Sequence, residues 1–163
     1  MKVNVKKFCA TFSLIGLVCA AADGQAATNR QAPVSLFNGV DEVAFACTTS
    51  KTFVNIPGMS RSFNQGAGAA EEVISMLQGS FSFTPTSPFD TAFVRLLIDN
   101  VVQGPGDQVP ILSTDGTSIT SAVGFNWQSP PLAPGAHTAR VQWRTDLGSE
   151  MCVDARSLIV LHR

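Results

Sequence analysis

In "HTARVQWRT", residues 137–145, His137, Ala139, Val141, Trp143 and Thr145 fall on one side of an extended chain, and Thr138, Arg140, Gln142 and Arg144 on the other. One face is core-like and the other wet, the period-2 pattern of an antiparallel strand laid over a core. "GFNWQS", residues 124–129, repeats the alternation with Phe125 and Trp127 on a shared face. From residue 41 onward, short runs rich in Val, Ile, Phe and Thr are cut by Gly, Pro, Asn and Asp. They predict strands near 42–48, 51–56, 59–64, 72–83, 91–98, 101–104, 108–113, 119–128, 136–145 and 151–161. The expected fold class is all-β, an antiparallel β-sandwich of eight to ten strands.

The breaks carry their own geometry. Pro57-Gly58 in "TFVNIPGMSRSF" suits a type II turn, with proline fixing one φ and glycine supplying a positive one, so the chain should reverse or bend sharply there. Asp99-Asn100 separates two apolar runs in "TAFVRLLIDNVVQGPG", and both residue types tolerate left-handed conformations, which predicts a tight hairpin. In "GAGAAEEVISMLQ", residues 66–78, Ala, Glu, Met and Leu favour helix, but Val73, Ser75 and Leu77 alternate with Ile74, Met76 and Gln78. A loop followed by a strand from about Glu72 is expected.

The ends change the picture of where the chain works. Lys2, Lys6 and Lys7 precede an apolar run from Phe8 to about Ala22, followed by small residues. This is the order of a secretory signal peptide, and the run is shorter than the roughly 20 residues a membrane span needs. The expected organisation is a leader over 1–26, cleaved after Ala22 or Ala26, a flexible arm over 27–40 without sustained periodicity, and one domain over 41–163. The expected location is extracellular or periplasmic, with no membrane insertion of the mature chain. Three of the eleven basic residues and one of the twelve acidic ones lie within 1–26, leaving eight against eleven and a net charge of −3. A mildly acidic product is ill suited to nucleic acid, which selects basic patches.

Cys9 and Cys19 leave with the leader, and Cys47 and Cys152 remain. Two cysteines in an exported domain most often pair, here closing a loop of about 100 residues worth roughly 4–5 kcal/mol in the chain-entropy model. One lies in the first predicted strand and the other in the last, so a bridge requires the terminal strands to be neighbours. Jelly-roll sandwiches provide that geometry, whereas immunoglobulin domains place their bridge well inside the sequence.

The stretches "NIPGMSRSF", "FVRLLIDN", "LAPGAHTARVQWRT" and "DARSLIVLH" together resemble a loose group of small secreted bacterial jelly-roll proteins, similar in architecture to C1q and tumour-necrosis-factor-like domains. The resemblance spans nearly all of 41–163. It implies a β-sandwich able to form a homotrimer, and it transfers no catalytic residue. Nine phenylalanines remain after the leader, enough to supply an apolar flank for such an assembly.

Candidate chemistry is sparse. His137 and His162 are the only histidines, and no G-x-S-x-G elbow accompanies them, so no catalytic residue is assigned. No cofactor or metal site is expected. The aspartates Asp90, Asp99, Asp107, Asp115, Asp146 and Asp154 are scattered and mostly sit beside turn residues, leaving loop carboxylates converging on calcium as the one metal alternative. Trp127 and Trp143 are the candidate sugar platforms, although both alternate onto core-like faces. Arg140 and Arg144 share the wet face of their strand and are the candidate ligand-binding pair, with surface ion pairs to Asp146, Glu150 or Asp154 as the competing reading. The expected function is a secreted, non-enzymatic structural or recognition module with a protein or glycan partner. A carbohydrate-binding domain is the main alternative, and a small hydrolase a further one.

Overall fold

The computed structural model describes residues 35–38, 44–67 and 71–162. The chain divides into two units, Met1–Gln31 and Ala32–Arg163, and every described residue lies in the second. The predicted leader falls outside the described residues, as does the predicted arm apart from 35–38. Ten strands follow in order: β1 (Ser35–Asn38), β2 (Ala46–Thr48), β3 (Val54–Gln65), β4 (Ile74–Thr84), β5 (Thr91–Ile98), β6 (Val101–Val102), β7 (Val109–Ser113), β8 (Ile119–Gln128), β9 (Gly135–Thr145) and β10 (Glu150–His162). Among the described residues there is no helix, and so none long and apolar enough to cross a membrane.

Pairing follows one rule. β2 pairs with β10, β3 with β9, β4 with β8 and β5 with β7, all antiparallel, with Cys47 opposite Cys152, Ser60 opposite Arg140, Leu77 opposite Phe125 and Thr91 opposite Ser113. Each of these partnerships is centred close to residue 100. The chain therefore runs out and back as a single antiparallel ribbon reversed at Asp99-Asn100, where both residues are left-handed with φ of 51° and 69° and Ile98 faces Val101. Rolling the ribbon deals successive segments to two sheets, ordered β1-β10-β4-β8 with β2 also on β10, and β3-β9-β5-β6 with β7 also on β5. This is the jelly roll expected from the cysteines, which form a disulfide across directly opposed residues with Cα atoms 4.0 Å apart.

The inward faces close over Trp127, Trp143, Phe81, Phe83, Met59 and Leu77, all nearly fully buried. Alternation is as expected on β9: Ala139, Val141, Trp143 and Thr145 are buried while Arg140, Gln142 and Arg144 are only half-buried. Of the two outcomes expected at Pro57-Gly58, a reversal or a sharp bend, the reversal does not occur. Both flanking runs pair with the same strand β9, and β3 takes five steps from Asn55 to Ser60 against two on its partner. The surplus becomes a bulge, with Gly58 at φ 76°.

A buried cation holds that bulge. Arg156, 3% exposed, follows a register break in β10 and donates from Nε to the Pro57 carbonyl at 2.9 Å and from Nη1 to those of Ala44 at 2.7 Å and Asp154 at 3.0 Å. Opposite it stands Gly79, where a Cβ would lie 2.9 Å from the Phe81 ring and 3.2 Å from the Ala155 carbonyl oxygen, so glycine allows the close approach.

A buried anion ties the opposite kind of knot. Asp90, fully buried ahead of β5, accepts at Oδ1 from the backbone N–H groups of Thr91 (2.7 Å), Leu147 (2.9 Å) and Asp146 (3.1 Å), and at Oδ2 from that of Ser149 (3.0 Å). It thereby fixes the β9–β10 turn to the start of β5. Burial alone would raise its pKa, but the hydrogen bonds from the Ser149 side chain and from the backbone of Leu147, Ser149 and Thr91 outweigh it and hold the carboxyl below its ordinary value.

Two substitutions test this account by denaturant unfolding. Trp143→Ala should cost about 3–5 kcal/mol through lost burial and a residual cavity. Asp90→Ala should cost about 3 kcal/mol at neutral pH, since several buried N–H groups lose their acceptor. A depressed carboxyl pKa stabilises the fold above the unfolded value near 3.8 and ceases to do so as pH falls through the folded value. The deficit of Asp90→Ala should therefore shrink in acid below that point.

Candidate functional site

The histidine singled out by the sequence is structurally occupied. His137 Nδ1 lies 2.6 Å from Asp99 Oδ2 and Nε2 lies 2.8 Å from the Ala133 carbonyl oxygen. Both partners are pure acceptors, so the ring satisfies them only as a doubly protonated imidazolium. The hydrogen bond to Asp99, then that to Ala133, raise the His137 pKa against a smaller opposing effect of burial. For Asp99, burial pushes upward, but hydrogen bonds from His137 and the Thr138 backbone lower its pKa overall. A general base needs a free ring nitrogen aimed at a nucleophile, and here neither is free. The ring also packs 5.5 Å from Phe63, whose other ring neighbour, at 5.2 Å, is His162.

Neither tryptophan is an exposed platform, since Trp127 and Trp143 are each 1% exposed. Trp127 nevertheless contributes to the wall of an open cleft of about 760 Å³, within the usual size of small-ligand sites. The cleft forms because the segment after β6 leaves its own sheet and reaches the edge of the other, where the Gln128 N–H donates to the Gly104 carbonyl at 3.3 Å. Around it stand Glu72, Asn126 and Gln128 as polar groups and Ile74, Pro105 and Trp127 as apolar ones. Gln128 Nε2 donates to the Glu72 carboxylate. Ile74 is 43% exposed, and Trp127 Nε1 has no hydrogen-bond partner.

Arg140 and Arg144 lie outside this cleft, on the outward face of β9. The neighbouring strands add Phe93 and Arg95 from β5, and Phe53 precedes β3. Arg95 stacks over the Phe53 ring at 4.1 Å, and Arg144 over Phe93 at 4.3 Å and Phe53 at 5.4 Å. Arg95 Nε donates to Gln142 Oε1 at 2.8 Å, and Gln142 Nε2 to Asn55 Oδ1 at 2.9 Å, one polar row across three strands. Arg144 pairs with Asp146 at 2.8 Å, as the ion-pair reading expected, whereas Arg140 donates to the Asn100 side chain. The nearest thing to a metal cluster among the described residues, Cys47, Glu150 and Cys152, spends both sulfurs in the disulfide.

Sequence reasoning missed Glu72, Asn126 and Gln128, although alternation in "GFNWQS" already put the two amides on the wet face. It also missed Arg95, which "TAFVRLLI" places beside Phe93 by the same period.

No family model matches the sequence, and no curated protein matches it. Among solved structures, the chain is similar to the native structure of a family 35 carbohydrate binding module from Clostridium thermocellum, at 16% identity over 80% of this chain and 92% of that one, with a TM-score of 0.31. It is also similar to the CBM36-1 domain of a multidomain xylanase from the hindgut metagenome of Trinervitermes trinervoides, at 11% identity over 78% of this chain and 96% of that one, with a TM-score of 0.32.

The His137–Asp99 pair has a pH signature. A raised histidine pKa stabilises the fold below the unfolded value near 6.5 and is lost as pH rises through the folded value; a lowered aspartate pKa stabilises above about 3.8 and is lost in acid. The pair therefore contributes most between these limits, by no more than about 1 kcal/mol because Asp99 is half exposed. The melting-temperature deficit of His137→Gln should be largest near pH 6 and fade toward pH 9, on about this scale.

Proposed function

We propose that this domain is a non-enzymatic recognition module that holds a segment of glycan in the cleft beside Trp127. The observation that carries this reading is the composition of the cleft, lined by two amides and a carboxylate together with Ile74, Pro105 and Trp127. A sugar ring presents hydroxyls, each a donor and an acceptor, together with apolar C–H faces. Asn126 and Gln128 offer both donor and acceptor, Glu72 accepts, and Ile74 and Pro105 supply surface for the C–H faces. The commitment of both His137 nitrogens supports a binding role over hydrolysis. Secretion, expected from the leader and in keeping with the disulfide, would bring the domain to extracellular or periplasmic glycans.

Calorimetry of the full chain against a panel of neutral oligosaccharides should find a ligand. Asn126→Ala and Glu72→Ala should each weaken it by about tenfold, or roughly 1.4 kcal/mol, without lowering the melting temperature. The reading fails if no oligosaccharide binds, if both variants bind as the parent does, or if the chain cleaves the sugars offered.

A further inference from the structure

We propose that the outward face of the β3-β9-β5 sheet is a second binding surface, for an extended acidic polysaccharide bearing carboxylate or sulfate groups. The starting observation is a charge imbalance. None of the three strands contains Asp or Glu, although the whole chain has twelve acidic residues against eleven basic ones. Their outward positions present Arg95, Arg140 and Arg144, and among the described residues only Asp146 forms an ion pair with any of them. The remaining nearby acid, Asp99, is engaged by His137 and the Thr138 N–H. Arg95 and Arg140 have only neutral partners, Gln142 and Asn100, so their charge is not cancelled within the fold.

The second observation is that these groups are held in place. Stacking on Phe53 and Phe93 fixes the planes of Arg95 and Arg144, and a planar guanidinium fork suits an anion through parallel hydrogen bonds. A ligand binding here meets cations that have already lost most of their rotamer freedom.

The third observation is spacing. Arg140 and Arg144 stand four residues apart on β9, about 13 Å at the usual rise, and Arg95 lies across from Gln142 between them. Amides of Gln142 and Asn55 fill the interval, and the hydroxyls of Ser62 and Thr138 extend the face beyond Arg140. Cations alternating with neutral donors and acceptors match a polymer whose anionic groups alternate with hydroxyls. The three arginines sit on β5 and β9, each paired on both sides, so an acidic peptide lying along them would find no free strand edge for backbone hydrogen bonds.

The test measures binding of the full chain to polygalacturonate and to dextran sulfate, with neutral dextran and poly-L-glutamate as comparison polymers, at about 20 mM and about 300 mM salt. At least one acidic polysaccharide should bind and neutral dextran should not, with affinity falling about tenfold or more at the higher salt. Preference for polygalacturonate identifies carboxylate as the recognised group, and preference for dextran sulfate identifies sulfate. Arg95→Gln combined with Arg140→Gln should weaken binding about tenfold or more. Because Arg95 is also packed on Phe53, Arg140→Gln alone is measured too and should weaken binding by a smaller but clear factor while melting like the parent. Asn126→Ala, in the cleft, should leave binding of the acidic polymer intact, which separates this surface from the glycan site proposed above. The proposal is overturned by equal binding of neutral dextran, by undiminished binding of Arg140→Gln, by loss of polyanion binding in Asn126→Ala, or by poly-L-glutamate binding as tightly as either polysaccharide.

Discussion

The reversal at Asp99-Asn100 constrains everything on either side of it. Two consecutive left-handed residues give the strands leaving the turn the twist that a two-residue hairpin requires, and the rest of the chain pairs outward from there. Residues equally far from the turn become partners, so the register of β5 on its neighbours is transmitted to β4, β3 and finally β2. Cys47 faces Cys152 far out along that ribbon, with the β1–β10 pairing beyond it. The bridge locks a pairing whose register is consistent with the turn. Register breaks at Pro57-Gly58 in β3 and before Arg156 in β10 interrupt the regular pairing, and the Arg156 guanidinium joins one to the other.

This topology also sorts the candidate surfaces. The outward face that carries Arg95, Arg140 and Arg144 draws on three strands contributed by both arms of the ribbon, with its side chains in rows across the register. The cleft is made where regular pairing stops: the segment after β6 crosses to β8 and ends the sheet edge with a single bridge at Gly104 and Gln128. One surface belongs to the sheet and the other to a connection, and so their chemistry differs. The first is a rank of guanidinium and amide groups, the second a concave mixture of amide, carboxylate and aliphatic carbon.

How far the sequence revealed this depends on whether the deciding contact was local. β9 was legible because a strict alternation over nine residues decides which side chains face the core, and Trp143 and Arg144 obey it. The Asp99-Asn100 hairpin was legible because its left-handed residues are specified by their own side chains. Pro57-Gly58 leaves a reversal and a bend both open, because the same local chemistry serves either, and only the shared partner strand decides between them. Asp90 looked like an ordinary turn residue; its importance comes from the N–H groups of residues 146, 147 and 149, more than fifty positions away. The cleft was invisible for the same reason, since Pro105 and Glu72 meet only after the ribbon has rolled.

The division of charge follows from how each ion is satisfied. Asp90 is buried without a cation, and Arg156 without an anion; the first is solvated by backbone N–H groups and the Ser149 side chain, and the second by backbone carbonyls at Nε and Nη1, with Nη2 left without a partner. Dipoles fixed by the fold take over much of the work of water for both ions. Had Arg156 required a carboxylate, one of the inward positions of the sandwich would have had to supply it at a large desolvation cost. Because these two buried ions draw on fixed dipoles, Arg95 of β5 and Arg140 of β9 answer to no structural acid and retain their charge, whereas Arg144 is paired with Asp146.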